Sequence, residues 1–459
     1  MAERVSGSFR DPSGFVFSTG GELYRQVNAV YSAQYDHLMN SGLYQKLVES
    51  HRLIPHSEAS LDLAQTPAAC RIIKPDVVPF VSYPYEWCFS QLKDAALTTL
   101  DIQRTALDFG MTLKDASAYN IQFVQGKPVL IDTLSFDIYD EGAPWIPYKQ
   151  FCQHFLAPLA LMSCRDAQLA QLLCVYVDGV PLPLASSLLP LRSRLRLGLL
   201  LHIHIHAGSQ KRFADTAADA PIARRKVSRQ ALLGLIDSLQ TAVRKLSWNP
   251  AGTDWAEYYQ GDSYDETGFE HKKRLVADYI RQAAPASVWD LGANTGLFSR
   301  IASQQGIPTI AWDVDPGAVE LNYREVVTKR ETHLLPLVND LTNPSPAIGW
   351  ANAERASFMQ RGGAELVMAL ALIHHLAIAN NVPLDDIARL LARLGRWLII
   401  EFVPRSDPKV KKLLAFRADI FPDYTPEGFE AAFSQHFAIV RLEAIANSER
   451  CLYLMQRKP

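Results

Sequence analysis

From about residue 255 to the end of this 459-residue chain, apolar strand-like runs alternate with helical stretches, and this rhythm constrains the fold more than any other feature. Strands that alternate with helices lie parallel, because each helix returns the chain to the same edge of the sheet. The runs are "ASVWDL", followed by a helix over 296–305; "TIAWDV", followed by "PGAVELNYREVV"; "HLLPLV"; "AELVMALAL", followed by a helix containing "LDDIARLLARL"; and "RWLIIEFV". A helix "TPEGFEAAFSQ" then leads to "FAIVRLEAI" and "RCLYLMQR", joined by "ANSE". That last pair is expected to form an antiparallel edge on a mostly parallel sheet.

Between the first strand and its helix lies the turn Gly292-Ala293-Asn294-Thr295-Gly296. A dinucleotide turn needs G-x-G-x-x-G so that pyrophosphate can rest on the helix N-terminus. The middle glycine is missing here, and so is the Lys-Ser/Thr pair of a phosphate loop. Asp290 beside the turn repels phosphate and attracts an amine. Asp313, ending the second strand, suits the two hydroxyls of a ribose. Asp340, after the third strand, suits an exocyclic amine. Ribose, adenine and an amino-acid tail together describe S-adenosylmethionine.

The stretches "VWDLGANTG", "AWDVDP" and "LVND" resemble the successive cofactor motifs of class I S-adenosylmethionine-dependent methyltransferases. The resemblance spans roughly residues 255–459. It implies a Rossmann-like seven-stranded α/β sheet. It also implies that Asp290, Gly292 and Gly296 frame the methionine end of the cofactor, with Asn294 in the same turn. Asp313 then holds the ribose, and Asp340 lies near adenine. The reaction is an in-line displacement on an activated sulfonium, so the protein mainly positions the nucleophile. "ALALIHHLAIANN" places His374 and His375 where the methyl group is expected. Either could deprotonate an oxygen or nitrogen nucleophile. In the structural reading, one caps the strand and the other packs on the next helix. Glu401 is a weaker polar candidate nearby. The chain lacks the Asn/Asp-Pro-Pro-Tyr/Phe element of amide and base N-methyltransferases. Tyr258, Tyr259 and Tyr264 either lid the cofactor or pack a seam.

The N-terminal half reads as an α+β domain over 1–185, followed by a helical, basic connector over 186–250 and the methyltransferase domain over 251–459. Within 110–136, Asp115 is followed by Asn120, two short strands about a glycine turn, and Asp132. This spacing resembles the catalytic loop and metal-binding Asp of protein-kinase-like and aminoglycoside-kinase-like folds. The resemblance implies that Asp115 orients an acceptor hydroxyl and that Asn120 and Asp132 hold magnesium. A long helix, "FSQLKDAALTTLDIQRTALDFG", precedes the loop. Before it, "VVPFVSYPYEW" reads as a strand entering a hinge, and "DPSGFVFSTGGELYRQV" as a glycine hairpin. The departures are substantial. Arg25 stands near the position of the expected lysine, the spaced glycines are missing, "DTL" replaces Asp-Phe-Gly, and no partner glutamate is assignable. A degenerate nucleotide- or substrate-binding lobe is therefore favoured over ATP/Mg phosphoryl transfer.

Composition removes several other classes. Net charge is -2, with no aromatic-interleaved basic patch, so no nucleic acid partner is expected. The six cysteines include no CxxC pair, which suits free thiols in a reducing compartment. The start, "MAERVSGSFRDPSG", lacks the apolar core of a secretory signal, and no apolar run reaches a bilayer span. A cytoplasmic location is expected. "LHIHIHAG" sets His202, His204 and His206 on one face of a strand, where a packed or solvated histidine face is favoured over a shared metal, so no metal site is assigned. Between Pro190 and Gln230 cations outnumber acids, as in a solvated connector or a surface that steers anions. Through "SFRDPSGFVF", "YPYEWCFSQLKDAALTTLDIQ", "PWIPYKQFCQHFLAPLALM" and "ALIHHLAI", the chain is similar to bacterial two-domain methyltransferases that include host-specific nodulation proteins. A small-molecule or glycan acceptor is expected. A bifunctional kinase-methyltransferase and a non-catalytic metabolite-binding scaffold are the competing readings.

Overall fold

The computed structural model describes residues 2–207, 226–250, 265–415 and 418–459. Tyr258, Tyr259, Tyr264 and the centre of the basic connector lie outside them. The chain forms two compact units. One comprises Met1–Asn249 together with Ala347–Ala356; the other comprises Pro250–Pro346 and Ser357–Pro459.

The first unit opens with an antiparallel sheet of β1 (Glu3–Arg4), β2 (Gly14–Thr19), β3 (Glu22–Asn28), β4 (His56–Ala59) and β5 (Ala69–Pro75), in the order β1-β2-β3-β5-β4. The β2–β3 hairpin turns at Gly20-Gly21, both at positive φ, which glycine adopts without Cβ strain. The stretch "VVPFVSYPYEW" is not a strand. β5 ends upstream at Pro75, and a single 3-10 turn, Pro84–Glu86, occupies this segment. Pro79 and Pro84 cannot donate to a ladder, and this outweighs the apolar alternation. The helix Phe89–Asp108 follows as expected, and its N-terminus is closed by Gln91, whose Oε1 accepts from Cys88 N at 3.0 Å. Buried Gln103 on the same helix accepts from Leu113 N at 2.6 Å. This fixes β6 (Met111–Leu113) against its antiparallel partner, while β7 (Ile121–Val124) and β8 (Lys127–Leu130) form the hairpin and β9 (Phe136–Ile138) completes the β6 pair.

"LHIHIH" is helical over Leu200–Ile205, not a strand. A short alternation of His with Leu and Ile satisfies either period, and here it continues the helical turn Leu197–Leu199. His202 then bonds Tyr148 and Ser238 at 2.8 Å each, and His204 bonds Ser186 and Ser193 at 2.8 Å each. His206 stacks on Tyr148. Among the described residues no group of histidines, cysteines and carboxylates is arranged to hold a metal. The helix Arg229–Lys245 packs into the first unit, where Gln240 donates to Asp101 at 2.7 Å and Lys93 donates to Leu246 O at 2.8 Å.

The second unit is a seven-stranded sheet of β10 (Val288–Leu291), β11 (Thr309–Asp313), β12 (Leu334–Val338), β13 (Ala364–Ala369), β14 (Gly395–Phe402), β15 (Phe437–Ala444) and β16 (Cys451–Arg457). Its order is β12-β11-β10-β13-β14-β16-β15. The first five strands are parallel; β16 enters antiparallel between β14 and β15. Val288, Leu366, Met368, Ile399 and Leu454 bury one face against Val276, Tyr279 and Ile280 of the helix Glu266–Ala283. The helix after the glycine turn covers only Ser299–Ser303, and β13 stops at Ala369. Among the described residues no helix is long and apolar enough to cross a membrane.

Candidate functional site

The carboxyl ends of β10, β11 and β12 meet in one ledge. Gly292 N and Ala293 N both donate to Trp312 O at 2.9 Å. Asn294 N donates to Asp313 Oδ2 at 2.7 Å, and Asn339 N donates to Asp313 O at 2.8 Å. Gly292, Asn294, Gly296 and Asp313 are thus brought together by the backbone itself. Both glycines sit at positive φ, 76° and 77°. At Gly296 a Cβ would fall 2.4–2.7 Å from the side-chain amide of Asn322, so only glycine fits. Arg300 braces the turn from below, donating to Thr295 O at 2.8 Å and to Glu331 at 2.9 Å.

Asp313 accepts Asn294 N–H on one oxygen and Asp315 N–H on the other, at 2.9 Å, which leaves lone pairs on both for further donors. Burial pushes its pKa up to about 6. Asp290 is more enclosed, only 1% exposed. Ser299 donates to it at 2.6 Å, and burial pushes its pKa up to about 7, against the opposing charge of Lys272. The carboxylate expected to meet a ligand amine is therefore already bonded on one oxygen to the helix that follows the turn. Asp340 is half-buried and accepts from Thr342 N and Thr342 Oγ1 at 2.8 and 2.7 Å. Its neighbour Asn339, which the motif reading passed over, has a buried side-chain Nδ2 with no partner among the described residues. Asp315 Oδ2 is likewise buried and unmatched. A donor and an acceptor unmet beside a ribose-type carboxylate fit a nucleoside ligand such as S-adenosylmethionine.

His374 and His375 follow β13, and Leu372, just before them, lies 3.2 Å from where a Cβ on Gly292 would be. The two rings are 4.1 Å apart but are not equivalent. His374 is fully buried, with neither ring nitrogen hydrogen-bonded to any described residue. His375 is half-buried; burial first, then the charges of Lys409 and Arg450, lower its pKa to about 4. It is neutral at ordinary pH. Glu401 is not a free polar group. It bonds Lys272 Nζ at 2.5 Å and Arg450 Nη1 at 3.0 Å, and Arg450 Nε in turn donates to Asp407 at 2.7 Å. This buried four-charge chain escaped sequence reasoning, because "HKKRLV" looks like an ordinary solvated helix face and only burial singles out Lys272.

In the first unit the three residues of the Asp-Asn-Asp pattern also come together. Asp115 accepts Ser117 N–H at 2.8 Å; burial and then Asp132 raise its pKa, while Asn120 and Gln150 hydrogen-bond it. Asp132 accepts Leu134 N–H at 2.9 Å and is ion-paired to Arg25 Nη1 at 2.7 Å. Arg25 lies on β3, so the residue standing near the expected lysine meets the second aspartate directly.

A sheet in this order, with a glycine turn after β10 and carboxylates at the ends of β10 and β11, is the arrangement that the resemblance to class I methyltransferases implied. No family model matches the chain. It is 37% identical over 461 residues to the nodulation protein NoeA of Rhizobium meliloti (strain 1021), covering 99% of this chain and 96% of that protein. The chain belongs to the NoeA family. Among solved structures it is similar to magnesium protoporphyrin IX methyltransferase (ChlM) from Synechocystis PCC 6803, at 16% identity over 46% of this chain and 96% of that one, with TM-score 0.33. It is also similar to the bifunctional kinase-methyltransferase WbdD, at 15% identity over 45% and 43%, with TM-score 0.30. At these scores the structural likeness adds nothing to the sheet order itself.

Proposed function

We propose that the second unit transfers a methyl group to an oxygen or nitrogen of a small-molecule or glycan acceptor, and that the first unit recognises that acceptor. The observation that carries the cofactor half of this reading is the bonded ledge Asn294–Asp313–Asn339, which joins the glycine turn to the ends of β11 and β12. Asp313 would hold the ribose hydroxyls, Asn339 and Asp340 would border the base, and the turn from Gly292 to Gly296 would border the amino-acid tail. When bound, the cofactor supplies a methyl group on a positively charged sulfur. His375, neutral and half-exposed, accepts the proton of the acceptor. The chain Lys272–Glu401–Arg450–Asp407 ties the end of β14 to the helix Glu266–Ala283 beside it. Calorimetric titration with S-adenosylhomocysteine tests the reading: wild type binds and Asp313→Ala does not. Equal affinity in both would sink it.

The second reading is an ATP-dependent first unit, supported by the proximity of Asp115, Asn120 and Asp132. The Arg25–Asp132 pair speaks for a ligand-binding lobe without phosphoryl transfer, since the guanidinium already neutralises the aspartate that magnesium would use. Titration of the full chain with ATP and magnesium decides between them.

A further inference from the structure

The segment Ala347–Ala356 leaves the chain between β12 and β13 yet packs as part of the first unit. It is pinned at two points and folded on itself at a third. Glu354, with its side chain 1% exposed, is ion-paired to Arg10 at 2.6 Å. Ala356 N donates to Tyr83 Oη at 2.8 Å. An antiparallel bridge joins Ile348 to Arg355. The result is a rigid presentation of Arg355, whose guanidinium carbon lies 4.4 Å from the centre of the Tyr119 ring.

The groups around Tyr119 share one deficiency. Arg355 Nη1 donates only to the adjacent Glu354 O, at 3.2 Å, and its Nε is buried with no partner. Among the described residues no carboxylate is ion-paired to Arg355; Glu354 turns to Arg10 instead. His154, 2% exposed, sets its ring edge-on to the same Tyr119 at 6.1 Å, and its Nδ1 is also unmatched. Burial, and then the charge of Arg355, keep that imidazole neutral. Tyr85 Oη is buried and unmatched as well; its ring is 5.5 Å from Tyr83, which is 6.1 Å from Tyr119. Glu86, the carboxylate in this region, accepts Tyr83 N–H at 2.9 Å. Each buried donor left unmatched costs about 1–3 kcal/mol. A guanidinium fork on an aromatic face, with a neutral imidazole and a phenol beside it, is matched by an oxyanion.

We propose that Arg355, His154 and Tyr85 form a site for an oxyanion, a phosphate or carboxylate carried by the methyl acceptor. The acceptor class is then anionic. This rests on the first unit being the recognition unit. It also gives the long β12–β13 connection a purpose, since it delivers the cationic side chain of that site.

The test uses the full-length protein at constant ionic strength. Thermal unfolding is followed in sodium chloride, sodium phosphate and sodium acetate, for wild type, Arg355→Gln and Arg355→Lys. Phosphate or acetate is expected to raise the wild-type midpoint by about 2–4 °C over chloride. Which of the two acts identifies the oxyanion. Arg355→Gln should lose the shift. If that variant does not fold by circular dichroism, Arg355→Lys, which keeps charge without the fork, should show a reduced shift. No shift in wild type, or an equal shift in the variants, overturns the site. S-adenosylhomocysteine is titrated into the same samples. Its binding is expected to be unchanged by the Arg355 variants, so failure of the oxyanion site leaves the methyltransferase reading standing, and the reverse.

Discussion

Asp290 and Asp313 stand out in the sequence as candidate site residues because an acid at the end of an apolar strand has no packing reason to be there. Their burial was not legible, and it has a consequence for stability. Both pKa values are raised in the folded state, to about 7 and about 6, by burial first. The folded protein therefore holds these protons more tightly than the unfolded chain. Stability from this source is fully present below about pH 4 and is lost as pH rises through 6 to 7. In Asp290→Asn that loss disappears. Urea unfolding should show the variant gaining on wild type between about pH 4 and pH 7, by up to about 1.4 kcal/mol per pH unit, and levelling off above. Parallel curves would refute the buried carboxylate. His375 has the opposite sign, lowered to about 4, so the base stays unprotonated well into mild acid. With a labelled methyl donor and a pool of glycans and small metabolites, the transfer rate should be flat from pH 8 to pH 5. His375→Gln should lower it about 10²–10⁴-fold. An inflection near 6.5 in the rate at saturating donor, absent from donor binding itself, would point to a different base.

The strands of the second unit were readable because both faces of a parallel sheet are covered, so each is a mainly apolar run, and the first two carry Asp290 and Asp313 at their ends. Two segments of the first unit misled for physical reasons. "VVPFVSYPYEW" has strand-like alternation, but its prolines cannot join a ladder. "LHIHIH" is too short for its period to separate helix from strand. The glycine turn was legible as a motif, but the cause of its second glycine was not. Asn322 comes from the distant helix Pro316–Lys329 and lies where a side chain on residue 296 would go. Gly296→Ala should cost about 1–3 kcal/mol by overpacking and should weaken S-adenosylhomocysteine binding, as read by urea unfolding and calorimetry. The chain Lys272–Glu401–Arg450–Asp407 ties one helix, β14 and the turn into β16 together. Arg450→Met leaves Glu401 and Asp407 buried with one cation fewer. A loss of about 3–5 kcal/mol is expected, and a change under 1 kcal/mol would mean the network is replaceable.

At the scale of the molecule, the sequence suggested three consecutive regions, whereas the first unit is not consecutive. It takes Ala347–Ala356 from the middle of the methyltransferase region. No local pattern announces this, because the segment is a short loop whose partners are hundreds of residues away. Its contacts include the Arg10–Glu354 pair, in which Glu354 is almost wholly enclosed, and the Ala356–Tyr83 hydrogen bond. A fragment of residues 1–249 therefore lacks part of its own packing. It leaves Arg10 without its carboxylate and the Tyr119 face uncovered by Arg355. The deficit is local, so a peptide covering 345–358 supplied in trans should restore it. The expected result is a rise in the fragment's unfolding midpoint with peptide concentration, saturating, and absent for a peptide carrying Glu354→Ala. A fragment that is indifferent to the wild-type peptide would show that the loop merely rests on the first unit. A saturating rise would show that the methyltransferase sequence completes the fold of the unit before it, so a single cut at residue 249 cannot separate the two intact.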